Sequence, residues 1–500
     1  MVLQLVASGY ECLDQISQPA RDRVVGMLLR HTLVYFSAQV VASVLGFASL
    51  ALYTHLTTPA DFGLFRVVMT GVLLTNAVLF QWLTASALRF VSSAANHARF
   101  LSTILVMFVV VLFFADAAGL TALPFLPSRR TQLLWVMGIV LVSLQAWFGL
   151  NLSIVRAQLR PLAYGRLTVL RTGLVLVTSV GLINLGFKVW GLLGGASVGL
   201  LLPILLFTRS TWRGINLREF DKALVGRLLS YGLPLSASLS FSYVIEGSDR
   251  LLLGWLSGPA STGVYSAGYD LVQNALGAVM GIVNSAAFPL AVNALESGDS
   301  ESATAQLRTN FSMLLAIALP AAVGLSIVSS QVARALLGVS FQVGAARLMP
   351  WVALGVLLSG LRAYYVDHAF QLGNRTELQI VVLGIGGATN VLLNLLLIPL
   401  IGPLGAAYST VAAYGVALAI GILLSHKAFQ LPMPVVDPLK VLVATALMAV
   451  AISPFRSSDG VPALVLEGAG GSCVYFVSLL LLNGLGLRTK LVRWALALTR

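Results

Sequence analysis

The chain has 500 residues, 58% of them hydrophobic and only 10% charged, with a net charge of +13. Soluble proteins carry about 25% charged residues, so this composition cannot cover a water-facing surface, whereas lipid tails solvate apolar side chains directly. The basic excess does not point to nucleic acid, because Lys and Arg are scattered over short segments and form no patch with interleaved aromatics.

Residues 1–30 read as a cytoplasmic, partly amphipathic leader ending in Arg21, Arg23 and Arg30. Its apolar start, Met1–Ala7, is too short for a signal peptide and is followed by Glu11 and Asp14. A helix crossing a bilayer needs about 20 apolar residues. That rule places fourteen spans at 32–53, 67–88, 101–124, 133–155, 167–186, 190–208, 231–253, 263–290, 309–327, 348–370, 378–398, 404–425, 440–455 and 463–485. With the N-terminus in the cytoplasm, 21 Lys and Arg fall in cytoplasmic segments and 7 on the opposite side. Arg171, Arg250 and Arg362 lie within spans. Positive residues stay inside, so both termini are expected in the cytoplasm. Cys12 and Cys473, far apart, offer neither a disulfide framework nor metal-ligand spacing.

Two pairs of segments repeat. Residues 56–65 read LTTPADFGLF and residues 256–265 read LSGPASTGVY; residues 191–196 read GLLGGA and residues 402–407 read GPLGAA. The offsets are 200 and 211 residues, and each pair sets span n against span n+6. An even offset gives both copies one orientation, which predicts two parallel six-helix lobes with a pathway between them. The expected organisation is an N-lobe at 31–208, a cytoplasmic linker at 209–230 and a C-lobe at 231–425. Spans 13 and 14 with a cytoplasmic tail fill 426–500. Gly191, Gly195 and Gly199 share one helix face and read as a close-packing stripe. Pro234, Pro289, Pro320 and Pro350 are candidate kinks.

Charge at bilayer depth is costly, about 2.5–3.5 kcal/mol on insertion scales, so in-span charges are the candidate functional residues. Glu246 and Arg250 stand four apart on span 7, acid first, a spacing that sets them on one face. Glu246 lies about 10 Å below the outer end of its span, and Asp270 on the next helix lies at similar depth. These residues are candidates for a proton or sodium site, with the alternative of a structural ion pair. Asp249 beside them is a further ion-coupling candidate, expected near the outer surface. Arg362 lies about 12 Å from the inner end of span 10. Its fork, with that of Arg171, suits an anionic diphosphate or acidic sugar, although snorkelling also explains Arg171. Tyr364 and Tyr365 on the Arg362 helix are candidate sugar-stacking rings, or interface aromatics; Asp367 continues that helix and is a further ion-coupling candidate.

Sequences for phosphate-binding loops, zinc-protease helices and serine-nucleophile elbows are missing, and no inter-span segment is long enough for a catalytic domain. The expectation is a chain without catalytic activity, cofactor or metal, driven by an ion or substrate gradient.

Several of these segments together resemble polysaccharide-transporter proteins of the multidrug/oligosaccharidyl-lipid/polysaccharide exporter superfamily. The resemblance runs over about residues 30–425. It rests on Tyr35–Gln39 (YFSAQ) with Leu56–Gly63, on Ser248–Gly254 (SDRLLLG) with Gly263–Ala267, and on Asn390–Pro399 (NVLLNLLLIP) with Gly402–Ala407. It implies two six-helix bundles around an alternating-access cavity in the bacterial inner membrane. It also implies export of undecaprenyl-diphosphate-linked oligosaccharide for O-antigen, capsule or exopolysaccharide, with protons or sodium as coupling ions in some members. Membrane lipids, a polysaccharide polymerase and chain-length machinery are the implied partners. Asp249-Arg250 is the one residue match that carries over. The alternatives are an ion-coupled multidrug antiporter of the same superfamily, disfavoured because span 1 has no acid, and a glycan polymerase, disfavoured because no long outer loop occurs.

Overall fold

A computed structural model describes residues 18–92, 96–209, 211–213, 215–457, 460–489 and 491–492. Residues 1–17 of the expected leader and 493–500 of the expected tail lie outside these. Among the described residues the regular structure is entirely helical. In chain order the helices are α1 (Gln18–Leu56), α2 (Pro59–Leu79), α3 (Gln81–Phe90), α4 (His97–Thr121), α5 (Arg129–Ala157), α6 (Pro161–Asn184), α7 (Lys188–Phe207) and α8 (Lys222–Leu256). There follow α9 (Pro259–Glu296), α10 (Ser300–Ile327), α11 (Ser329–Leu336), α12 (Val339–Leu361), a π-helical turn at Arg362–Val366, α13 (Asp367–Leu372), α14 (Thr376–Ile401), α15 (Pro403–Ser425), α16 (Val436–Ile452) and α17 (Val461–Leu481).

Thirteen of these helical stretches are long and apolar enough to cross a membrane, and α8 makes fourteen if its bent halves count as one span. The fourteen predicted spans therefore each meet a helix. The second span is split at Phe80 into α2 and α3. Helix α8 bends by 47° between Lys222–Ser236 and Ser240–Leu256, beside Pro234, where proline removes a backbone donor from the helical ladder.

Local chemistry explains the shared joints. At the start of α2, Thr58 is the N-cap: its hydroxyl accepts from the Asp61 amide at 3.2 Å and donates to the Asp61 carboxylate at 2.8 Å. Pro59 takes the first helical position, where a missing N–H costs nothing. At the start of α9 the cap is Gly258 at φ +84°, again followed by Pro259. The 200-residue offset is thus kept residue for residue, with glycine's freedom at positive φ replacing the threonine cap.

The second repeat shifts. A Cβ on Gly191 would lie 3.0 Å from the Ile183 amide, and one on Gly405 would lie 2.5 Å from the Leu397 carbonyl. The glycines that close the two hairpins are therefore Gly191 and Gly405, 214 positions apart, not 211. Three residues join α6 to α7, whereas Gly402 alone joins α14 to α15.

The chain divides into two compact units, one ending at Trp255 and the other starting at Leu256. In the first, α6 and α7 form the tightest hairpin and α1 packs on α6. Gly191, Gly195 and Gly199 all face α6: added methyls would lie 2.6 Å from the Ser179 amide and 3.0 Å from the Arg171 carbonyl at the last two. Lipid offers no hydrophobic drive between helices, so such close backbone contact is the main source of association. Helix α8 belongs to this unit. Ser86 donates to the Leu228 carbonyl at 2.8 Å, and Ser240 donates to the Ala77 carbonyl at 3.2 Å.

In the second unit α9, α10, α12, α13 and α15 pack on the π turn, and α14 pairs with α15. The final hairpin docks on α10 through Ala316, Val441, Ala444, Met448, Tyr475 and Leu479. The Tyr475 hydroxyl donates to the Ala316 carbonyl at 2.6 Å.

Candidate functional site

The first unit holds a recess of about 190 Å³ lined by Leu73, Asn76, Ala77, Gln81, Thr84, Gln145, Gly149, Leu152, Ser153 and Tyr243. It is built where α2 gives way to α3, which leaves the polar side chains Asn76, Gln81 and Thr84 on either side of the break at Phe80. Helix α5 supplies Gln145 and Ser153, and the second half of α8, Ser240–Leu256, supplies Tyr243. Six of the ten lining residues carry an amide or hydroxyl, and none carries a charge. The Asn76 side-chain nitrogen is buried without a hydrogen-bond partner among the described residues. A buried orphan donor costs about 1–3 kcal/mol, so this amide is poised to donate to an arriving oxygen.

Arg171 stands directly behind that wall. Its Nη2 donates to the Gln145 Oε1 at 3.1 Å, and its guanidinium lies 4.9 Å from the centre of the Phe148 ring. Sequence reasoning places Arg171 about five residues inside its span, within reach of the interface. In the structure α6 starts six residues earlier, at Pro161, so Arg171 is ten residues, about 15 Å, into the helix. Its head turns to an amide and a ring face inside the unit. Gln145 therefore joins the recess to the cation, and neither periodicity nor charge marks it in the sequence.

Arg362, Asp367, Tyr364 and Tyr365 gather in the second unit, at the π turn. The Asp367 amide bonds to the Arg362 carbonyl, the i−5 bond that defines the turn. The Arg362 Nη1 donates to the Asp367 Oδ2 at 2.7 Å, and the two residues are 6% and 2% exposed. Gln379 of α14 donates to the same oxygen at 3.0 Å. The Arg362 fork faces a carboxylate in the core. Tyr365 is also a core residue, with its hydroxyl donating to the Pro432 carbonyl and its ring 4.6 Å from Phe311. Tyr364 is half-buried, its hydroxyl near Gly281 of α9. His368 stacks on Phe288 at 3.9 Å.

The span 7 candidates sit at the end of the first unit. Glu246 is exposed. The Arg250 Nη1 donates at 2.9 Å to the backbone carbonyl of Glu246, a one-turn bond that the predicted side-chain pair did not include. Asp249, expected near the outer surface, is fully buried within the protein, and Arg250 nearly so. Asp270 is half-buried on α9, in the second unit.

Two in-span acids escaped the sequence reading. Asp116 on α4 accepts from the Ser143 hydroxyl at 3.3 Å. Glu467 on α17, 7% exposed, accepts from the Gln331 amide at 2.9 Å on both oxygens. Each lies inside a predicted span, so a complete census of ionisable residues would have found them. Among the described residues no three His, Cys, Asp or Glu side chains cluster as metal ligands.

The family described as "Polysaccharide biosynthesis protein" matches residues 28–294, more than half of the chain. No curated protein sequence matches the chain. Among solved structures, the lipid II flippase MurJ in an inward closed conformation is similar over 90% of this chain and 99% of its own, with 14% identity and a TM-score of 0.76. An inward-facing multidrug resistance MATE family transporter of the MOP superfamily covers 79% and 97%, with 17% identity and a TM-score of 0.61. A MOP superfamily transporter from Pyrococcus furiosus covers 80% and 96%, with 16% identity and a TM-score of 0.53. At these identities the likeness is one of fold: all three share this chain's helical architecture.

Proposed function

Because the chain belongs to the polysaccharide biosynthesis protein family, we propose that it is a flippase for lipid-linked oligosaccharide. It carries undecaprenyl-diphosphate-linked repeat units across the bacterial inner membrane for O-antigen, capsule or exopolysaccharide, by alternating access of its two lobes, with both termini in the cytoplasm. The observation that carries this reading is the recess of the first unit, uncharged and lined by amides and hydroxyls. Such groups exchange hydrogen bonds with sugar hydroxyls as readily as water does. A recess for drug cations would need a carboxylate to offset desolvation, and none lines it. Arg171, one hydrogen bond behind the wall, adds the positive potential that a diphosphate requires.

Gln145→Leu keeps the side-chain bulk and removes the amide that faces both recess and Arg171. The expected result is loss of surface polysaccharide and build-up of lipid-linked repeat units, with normal amounts of protein in the membrane. Surface polysaccharide at the wild-type level in that strain, and in Arg171→Ala, would refute the assignment.

Coupling to a proton or sodium gradient is assigned to Glu246, with Asp249 and Arg250 near it in the chain, and to Asp270. The buried acid Asp249 also keeps an ion-coupled antiporter as the second reading. Glu246→Gln and Asp270→Asn are expected to alter the dependence of transport on pH or sodium; full transport by both at every pH and sodium level rejects the coupling assignment.

A further inference from the structure

Besides the polar recess, the first unit carries a larger, apolar one of about 710 Å³ where α1, the start of α6 and the end of α7 meet. Small residues shape its floor. A Cβ on Gly165 of α6 would lie 3.5 Å from the Cβ of Ala38 on α1, so the two helices pack closely there. The Ser37 hydroxyl, also on the floor, donates back to the Val34 carbonyl at 3.1 Å. Val41, Val169 and Leu170 form the walls, and Leu162 and Phe207 stand at the mouth. Val41, Leu162 and Phe207 are exposed, so the recess is open from outside the protein. All three helices are long and apolar enough to cross a membrane, and lipid is what surrounds such helices at that depth.

A single charge lines this recess, that of Arg166, and no carboxylate does. Arg166 is exposed and is the sixth residue of α6, about 8 Å from the helix start. Its guanidinium makes no hydrogen bond or ion pair among the described residues. Arg160, just before α6, and Arg209, just past α7, are exposed at the same end of the hairpin. Val169 and Leu170 follow Arg166 by one turn, and Val41 follows Val34 by two. The recess is therefore cationic near the helix ends and apolar deeper in the span.

That order is the order of an anionic phospholipid, with its phosphate at headgroup depth and its acyl chains below. Arginine forks take phosphate oxygens in pairs, and basic recesses between spanning helices hold anionic headgroups. A zwitterionic headgroup would bring a cation of its own beside Arg166, which repels it. At about 30 Å³ per water-sized group, the recess has room for a phosphate and one acyl chain. The geometry points to a resident anionic phospholipid in the α1–α6–α7 recess, its phosphate on Arg166 and one acyl chain along Val41, Val169 and Leu170. The site is distinct from the polar recess at Gln145 and does not depend on what the protein carries.

The test titrates the full chain in detergent with phosphatidylglycerol, and separately with phosphatidylcholine of the same acyl chains, and counts bound lipid by native mass spectrometry. The expected result is one phosphatidylglycerol bound at least tenfold more tightly than phosphatidylcholine. Arg166→Gln should bring the two lipids to equal affinity. Val41→Trp, which fills the recess and leaves the charge, should weaken phosphatidylglycerol at least tenfold. Both positions are exposed, and an unchanged size-exclusion profile checks that the variants keep the fold. Equal affinity of the two lipids for the wild-type chain, or a preference that survives Arg166→Gln, overturns the proposal. Unchanged affinity in Val41→Trp also overturns it, because the headgroup would then bind with no chain in the recess. Two other occupants would replace the phospholipid and refute the assignment. A dimer that Val41→Trp dissociates would put a second copy there, and undecaprenyl phosphate that displaces phosphatidylglycerol at a tenfold lower concentration would put the carried lipid there.

Discussion

In an uninterrupted α-helix, Arg362 and Asp367 would point about 140° apart, since five residues turn through about 500°. The π turn at Arg362–Val366 inserts one residue into the ladder and brings them to a 2.7 Å contact. Breaking a buried pair leaves an uncompensated charge, at a cost of about 3–5 kcal/mol. Asp367→Asn or Arg362→Met should therefore each lower the thermal unfolding midpoint in detergent strongly, and the double variant should lose less than the two singles together. Additive losses would show that the two side chains do not act as a pair. The partnership was not legible in the sequence, because helical periodicity gives no sign of a π turn; Arg362 alone reads as an open cation. The depth of Arg171 in its helix was under-read for a simpler reason: the apolar window opens at 167, whereas the helix starts at Pro161.

The helix starts and joints were the most legible elements. The threonine-proline and glycine-proline joints at 58–59 and 258–259 announce the ends of α1 and α8, and the structure keeps both. The Gly191, Gly195, Gly199 stripe was likewise visible from its four-residue spacing. Gly195→Ala should push α7 off α6, because the new methyl would meet the Ser179 backbone. Overpacking of this kind costs about 1–3 kcal/mol, readable as a lowered unfolding midpoint; an unchanged midpoint would mean that the hairpin has slack. The final hairpin was legible as two spans but not in its anchoring, which depends on a buried acid and a tyrosine hydroxyl reaching across elements. Tyr475→Phe should cost about 0.5–1.5 kcal/mol through the lost bond to Ala316, again as a lowered midpoint. Outside the spans, Asp299 caps α10 by accepting from the Ser302 amide at 2.9 Å, and hydrogen bonds from Ser302 hold its carboxyl below the ordinary carboxylate range. Its stabilisation is present above the unfolded carboxylate pKa and fades as pH falls through the lower folded value. The acid side of the stability curve should therefore flatten in Asp299→Ala.

At the scale of the whole molecule, composition alone announced a membrane protein, and fourteen apolar stretches announced its architecture. The repeat offset reads as two lobes with the second starting at 231, whereas the compact units meet at Trp255 and Leu256. Helix α8, which span counting assigns to the C-lobe, packs with the first unit; the polar bonds from Ser86 and Ser240 that hold it are invisible to hydropathy. The recess at Gln145 was equally hidden, since amides and hydroxyls spread over four helices form no motif. The account's central claim is that this lining passes a lipid-borne glycan through the bilayer. Its most direct test is the purified full chain in liposomes loaded with lipid-linked oligosaccharide, with glycan on the outer leaflet followed by an added glycan-cleaving enzyme. The account predicts that all of the glycan becomes cleavable over time with the wild-type chain, and only the outer half without protein or with Gln145→Leu. Glycan that stays at the outer half with the wild-type chain, in liposomes where the same chain expels a small cationic dye against a proton or sodium gradient, would contradict it.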